Sequence, residues 1–300
     1  MRLRHLTLAL AVALGMAACG GDPTKAPAAG GGDSKAITVG SAAFPENEII
    51  AEIYAQALEA KGFTVKKQLN IGAREVYIPA LKNGEIDLVP EYTGNLLTYL
   101  DPKATASAPD AVTSALGTAV PAGLTVLEPA PAEDKDSLNV TAAFAKENGV
   151  KTIADLAKVK GLRLAANPEF KQRAYGIPGL EKVYGITGIA FTPISDGGGP
   201  ATVKALTSGK VDVADIYSTT PSITANKLVT LEDPKNLIAA QNVVPLIRKD
   251  KATDEVAQVL DAVSAALTTE ELLELNEANQ GENKEAPAVL AKEWVAEYVK

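Results

Sequence analysis

One cysteine, one histidine and one tryptophan are all that this sequence holds of those three types. A lone cysteine, Cys19, excludes an intrachain disulfide and a cysteine metal cluster. The histidine is His5, inside an amino-terminal segment that reads as removable. What remains has no imidazole for a Ser-His-Asp or Cys-His relay and none for a histidine metal site. Positive charge is scarce too: 29 Lys and Arg against 37 Asp and Glu give a net charge of −8, with no basic cluster. Nucleic acid and anionic lipid are therefore poor partners. Phosphate loops are missing. Ser208-Gly209-Lys210 lacks the leading glycine and carries Val211 where Ser or Thr is required, and Gly197-Gly198-Gly199 does not fit G-x-G-x-x-G. Carboxylates could still move protons. With no cofactor motif and no metal-ligand set, the expectation is a binding protein rather than an enzyme.

The chain opens with Met1-Arg2-Leu3-Arg4-His5 and a mainly apolar run from Leu6 to Ala18. A basic start, a run too short to span a bilayer and small residues before Cys19 read as a secretory signal over residues 1–18. Met16-Ala17-Ala18-Cys19 resembles a bacterial lipobox. That resemblance implies a lipidated Cys19 and a body held by a multiply acylated anchor on the outer face of a bacterial cell membrane. The alternative is an ordinary cleaved signal followed by a stray cysteine. Residues 19–35, rich in Gly, Ala, Pro, Asp and Ser, have nothing to bury and read as a flexible tether. Loss of Arg2 and Arg4 with the signal moves the net charge from −8 to −10. The remaining ~280 residues exceed what one compact core usually holds, so two domains are expected.

One pattern occurs twice. Ala80-Leu81-Lys82-Asn83-Gly84-Glu85-Ile86-Asp87-Leu88 returns 125 positions later as Ala205-Leu206-Thr207-Ser208-Gly209-Lys210-Val211-Asp212-Val213, and each copy runs on to a tyrosine, Tyr92 or Tyr217. An apolar helix that stops at a glycine and is followed by a β-branched strand is a helix-turn-strand unit. Pro90 cannot donate to a ladder, so the first strand is expected to end near Val89 with Tyr92 just beyond it. Open α/β sheets bind ligands at that end. Asp87 and Asp212, at matching places, are expected to orient the local turn.

Around the first copy the order is β-α-β-α-β, from Ile37-Thr38-Val39 through a helix bearing Ile49, Ile50, Ile53, Tyr54 and Leu58 to the strand at Ile86 to Val89. That order predicts a mainly parallel sheet covered on both faces. Similar alternation resumes from Thr152 to Leu231, and helical tracts follow Arg248. The expected layout is a second lobe, residues 138–242, inserted into a first made of 36–137 and 243–300. Leu138-Asn139-Val140 leads out and Val243 to Ile247 leads back as a two-strand hinge. Two consecutive domains are the alternative.

Three blocks carry a family resemblance: Gly40-Ser41-Ala42-Ala43-Phe44-Pro45-Glu46-Asn47-Glu48, Pro90-Glu91-Tyr92-Thr93-Gly94 with the repeat before it, and Asn167-Pro168-Glu169-Phe170 through Arg173 to Leu180. From about Ile37 onward the chain resembles the substrate-binding proteins of glycine betaine, carnitine and choline ABC importers. The resemblance implies a two-lobe, periplasmic-binding-protein-like fold of type II that closes on a quaternary amine or zwitterion in a box of tyrosines and delivers it to an ABC permease. It carries Tyr92 and Tyr217 over as wall residues and Arg173 as the partner of a ligand carboxylate. Thr93 belongs to the same ligand-binding set. Ser137 and Gln241 align where betaine binders place two further cage tyrosines, Asn95 replaces a threonine near the carboxylate, and Ala42 and Ala43 replace polar residues. Two lost rings amount to about 1 to 4 kcal/mol of cation attraction. Either Tyr77, Tyr175 or Phe44 substitutes for them, or Ser137, Asn95 and Gln241 serve a solute with more hydrogen-bonding groups. Tyr54, Tyr99, Tyr184 and Tyr298 read as packing residues. A receptor for a different polar solute, or a surface interaction protein without transport, are the competing expectations.

Overall fold

The structure is a computed structural model that describes residues 35–299. The expectations for residues 1–34, including Cys19, lie outside the described residues. Along the chain, β1 (Ala36–Gly40) leads to α1 (Pro45–Ala60), β2 (Thr64–Gln68), α2 (Arg74–Asn83), β3 (Leu88–Tyr92), α3 (Thr93–Leu100), α4 (Pro109–Ala119) and β4 (Leu124–Val126). Then come β5 (Leu138–Thr141), α5 (Ala142–Asn148), β6 (Arg163–Ala166), α6 (Ile177–Tyr184), β7 (Ala190–Pro193), α7 (Pro200–Thr207), β8 (Val213–Asp215), α8 (Ser222–Ala225) and β9 (Leu228–Thr230). Finally β10 (Val243–Arg248) precedes α9 (Asp254–Ala266), α10 (Thr269–Gln280) and α11 (Pro287–Tyr298).

These strands form two five-stranded sheets, ordered β2-β1-β3-β10-β4 and β7-β6-β8-β5-β9. In each, one strand runs against the rest: β10 is antiparallel to β3 and β4, and β5 is antiparallel to β8 and β9. The fold is that of a type II, two-lobe periplasmic-binding protein. The connections between the sheets run side by side, Ala132 O accepting from Val243 N at 3.0 Å and Gln241 O from Asp134 N at 3.2 Å. These paired crossing segments lie just outside the expected Leu138-Asn139-Val140 and Val243 to Ile247, which sit within the sheets as parts of β5 and β10.

Helix α1 shows why the first sheet stands firm. Ile49, Ile50, Ile53, Tyr54 and Leu58 recur at helical spacing and are buried against β1, β3 and the carboxyl-terminal helices. Each such fully buried Ile or Leu contributes about 1.5–3 kcal/mol. The opposite face is covered by α2, α3 and α4 through Ile78, Leu81, Leu96 and Leu116. The inserted sheet has its own cores, centred on Leu164 and Leu180 on one face and on Ala165 and Leu206 on the other.

Both copies of the repeat are built alike. Gly84 and Gly209 take left-handed φ values of 76° and 72° past α2 and α7, where a side chain would be strained. Asp87 Oδ2 accepts from Thr38 N at 2.8 Å, and Asp212 Oδ2 from Arg163 N at 2.9 Å. Each aspartate therefore fastens its strand to the parallel neighbour, in both cases 49 residues earlier in the chain.

The expected strand end at Val89 is corrected. β3 continues through Pro90 to Tyr92, with Pro90 directly opposite Pro245. Thr93 N donates to Asn242 O at 3.0 Å, and from that bonded pair the alternation puts the two prolines at a non-bonded position of the β3–β10 ladder, so neither costs that ladder a bond. Thr152 opens a short 3-10 helix, Ile153–Lys158, with Asp155 completing its capping box.

Candidate functional site

Where the two lobes meet, a cavity of about 260 Å³ lies beyond the carboxyl end of β3. Phe44, Tyr77 and Tyr92 line it from the first lobe, and Phe170, Tyr175 and Tyr217 from the second. Phe44 bridges the lobes: its ring centre is 5.2 Å from that of Tyr217, edge to face, and 6.0 Å from that of Tyr92. The alternatives Tyr77, Tyr175 and Phe44 thus all reach the cavity, together with Tyr92 and Tyr217.

Hydrogen bonds fix the two repeat tyrosines. Tyr92 Oη donates to Glu46 Oε1 at 2.7 Å. Glu46 Oε2 accepts from Thr219 Oγ1 of the other lobe at 2.5 Å and from Asn276 Nδ2 of α10 at 2.6 Å. Burial pushes the Glu46 carboxyl above the usual range, against the pull of these donors. Tyr217 Oη accepts from Asn167 Nδ2 at 3.0 Å, while Asn167 Oδ1 accepts from Gly197 N at 3.1 Å. Gly198, at φ 76°, lies so close to the chain before Tyr217 that an added Cβ would come within 2.7 Å of Ile216 Cα. The glycine run is a close-approach loop for the wall tyrosine, consistent with its failure to match a nucleotide motif.

Two arginines line the cavity, and both are already paired. Arg173 Nη2 meets Glu75 Oε1 at 3.0 Å across the lobes, and its guanidinium lies 5.4 Å from the Tyr99 ring centre. Arg74, absent from the sequence-based set, grips Glu91 with Nε at 2.9 Å and Nη2 at 2.8 Å. Glu91 also accepts from Tyr77 Oη at 2.7 Å and from Tyr92 N at 2.9 Å. The glutamate of the Pro90-Glu91-Tyr92 block is therefore an orienting residue, fully buried behind the rings.

Asn95 lines the cavity, donating from Nδ2 to Asp136 Oδ2 at 2.6 Å. Asp134 and Asp136 line it as well, and sequence reasoning missed both. Asp134 accepts from Thr219 N at 3.1 Å, and burial, reinforced by the nearby Glu46, raises its carboxyl well above the usual range. Their signal was present as Glu133-Asp134-Lys135-Asp136, which reads as an ordinary solvated charge run. Among the described residues, no cluster of acidic, cysteine or histidine side chains has metal-holding geometry.

Ser137, Gln241 and Thr93 do not line the cavity. Ser137 Oγ donates to Ile216 O at 2.6 Å, tying β5 to the segment after β8. Gln241 is buried and reads the amino end of α3, its Oε1 accepting from Asn95 N at 2.9 Å and its Nε2 donating to Asn95 Oδ1 at 2.7 Å. Thr93 Oγ1 donates to Ala240 O at 3.2 Å and accepts from Asn242 N at 3.1 Å. All three are hydrogen-bonded to the chain around the hinge.

The family described as "Substrate binding domain of ABC-type glycine betaine transport system" matches residues 35–297. The glycine betaine-binding protein YehZ of Escherichia coli K12 is 30% identical over 270 residues, 85% of this chain and 88% of that one. A glycine-betaine-binding protein of Pseudomonas aeruginosa is 26% identical over 286 residues, 90% of each chain. A crystal structure titled as a glycine betaine/carnitine/choline ABC transporter shares the fold, with a TM-score of 0.68 at 24% identity over 87% of this chain and 97% of that one. Family members are extracytoplasmic solute-binding components rather than enzymes. The chain belongs to the substrate-binding domain family of ABC-type glycine betaine transport systems.

Proposed function

We propose that the protein captures glycine betaine or a related small quaternary amine between its lobes and presents the closed form to an ABC permease. The observation that carries this reading is the ring of six aromatic side chains, three from each lobe, around one interlobe cavity. A trimethylammonium group has no hydrogen-bond donor, so ring faces are its natural partners, each worth about 0.5–2 kcal/mol. Tyr92 and Tyr217 act as opposed walls, with Asn95 on the polar side. Arg173, held by Glu75 and stacked near Tyr99, serves as a latch across the rim of the closed cleft. Residues 36–137 with 243–300 move as one lobe and residues 138–242 as the other, about the paired hinge segments.

Titration calorimetry with glycine betaine, choline and carnitine tests the reading. Saturable heat from at least one is expected, and silence across the panel would remove the ligand class while leaving the fold intact. The lipobox-like Met16-Ala17-Ala18-Cys19 supports anchoring of the receptor to the outer face of the membrane through Cys19. A Cys19→Ser variant is then expected in the soluble extracytoplasmic fraction, and retention on the membrane would refute the anchor.

A further inference from the structure

The balance of charge around the cavity says more about the ligand than the rings do. Both lining arginines are spoken for, Arg74 by the fully buried Glu91 and Arg173 by Glu75. The carboxylates on the other side are not matched in this way. Asp134 and Asp136 line the cavity, and among the described residues no lysine or arginine forms an ion pair with either. Burial holds Asp134, and Glu46 and Asp215 behind it, toward the neutral form, so Asp136 is the group left without a matching cation. Asp136 is 7% exposed and takes the hydrogen bond from Asn95 described above. It stands beside Asp215, which is 3% exposed and whose Oδ1 has no hydrogen-bond partner. A ligand carboxylate entering this cavity would find its two guanidiniums occupied and Asp136 already there. A ligand with positive charge alone would meet rings and an uncompensated carboxylate.

We infer that the cavity selects by net charge, favouring a quaternary ammonium without a carboxylate, such as choline, over a zwitterion such as glycine betaine, with Asp136 as the specificity-determining residue. The inference rests on the quaternary-amine reading above and narrows it. One unit charge, placed a few ångströms from a carboxylate in a partly desolvated cavity, shifts affinity by about tenfold or more.

The test is calorimetric titration of the protein with choline and with glycine betaine under the same conditions. Choline is expected to bind at least about tenfold more tightly. Asp136→Asn, which keeps a group able to accept from Asn95, is expected to bring the two affinities within about threefold, and Asp136→Glu to retain the preference for choline. Equal or tighter binding of glycine betaine by the unmodified protein would overturn the inference and leave the proposed function standing. An unchanged ratio in Asp136→Asn, with native circular dichroism and melting, would remove Asp136 from the role. Silence toward both ligands would overturn the inference, and silence toward carnitine as well would remove the function with it. The ratio in the unmodified protein decides the charge preference even if the variants fail to fold.

Discussion

Tyr217→Ala separates a ring wall from a packing residue. The substitution removes the ring that Phe44 meets edge to face at 5.2 Å, and the hydroxyl that accepts from Asn167 at 3.0 Å. Loss of one aromatic face from a bound ammonium costs about 0.5–2 kcal/mol, which is about 2- to 30-fold in affinity. Loss of the aromatic pair costs folding about 0.5–1.5 kcal/mol beyond the area exposed. Tyr217→Phe keeps the face and loses only the Asn167 bond, about 0.5–1.5 kcal/mol of stability, so its affinity is expected to stay within about threefold of the native protein. Calorimetric titration of the three proteins with whichever amine binds, beside thermal melts, reads both effects. Native affinity in Tyr217→Ala would refute the wall. Tyr217→Phe as weak as Tyr217→Ala would show that the hydroxyl, not the ring face, carries the interaction.

Asp87→Ala and Asp212→Ala should each destabilise by about 1–3 kcal/mol, because each leaves a strand N–H without its carboxylate acceptor. The two sites lie in different sheets, so the double variant should lose about the sum in urea unfolding, and a neutral single variant would refute the fastening role. pH supplies the other prediction. Burial raises the carboxyls of Glu46, Asp134 and Asp215 above their ordinary range, so the folded ligand-free protein keeps protons that the unfolded chain has released. Their contribution is fully present below the unfolded carboxyl range of about 4 and is lost as pH rises through the raised folded values. Carboxyls held down, Asp155 by Lys158 and Asp250 by Arg248, act in the opposite sense only below about pH 4. The melting temperature should therefore fall as pH rises above the ordinary carboxyl range of about 4, with a shallower fall in Glu46→Gln. A flat or rising profile in scanning calorimetry would contradict it.

Local chemistry made much of the fold legible. Gly84 and Gly209 marked helix ends because only glycine takes their left-handed backbone cheaply, and the apolar period of Ile49, Ile50 and Ile53 marked α1. Pro90 misled because the rule against proline in a ladder assumes a bonded position, and the partner that makes it non-bonded, Pro245, lies 155 residues further on. At the site, alignment placed Ser137 and Gln241 near the cavity but could not say which way they point. The ladder at Ile216 and the amino end of α3 claim them. Arg173 was recognisable as a cation but its partner Glu75 was not, being 98 residues away in the chain. Asp134 and Asp136 gave no sign of burial, since a charge run beside the hinge looks like any solvated turn until Thr219 and Asn95 are folded over it.

The place of β10 sets an order on assembly. It fills the gap between β3 and β4, and among the described residues β4 has no other strand partner. During synthesis the first sheet must wait, with β4 unpaired, until residue 248 has emerged. By then every strand of the inserted sheet, β5 to β9, is already available. The inserted lobe can thus mature as a unit while the outer lobe is still open, and the last step joins segments more than 150 residues apart, a contact of long sequence separation and correspondingly slow closure. A chain cut short before Val243 would leave a finished inner lobe and an outer one with an exposed strand edge, the kind of species that aggregates.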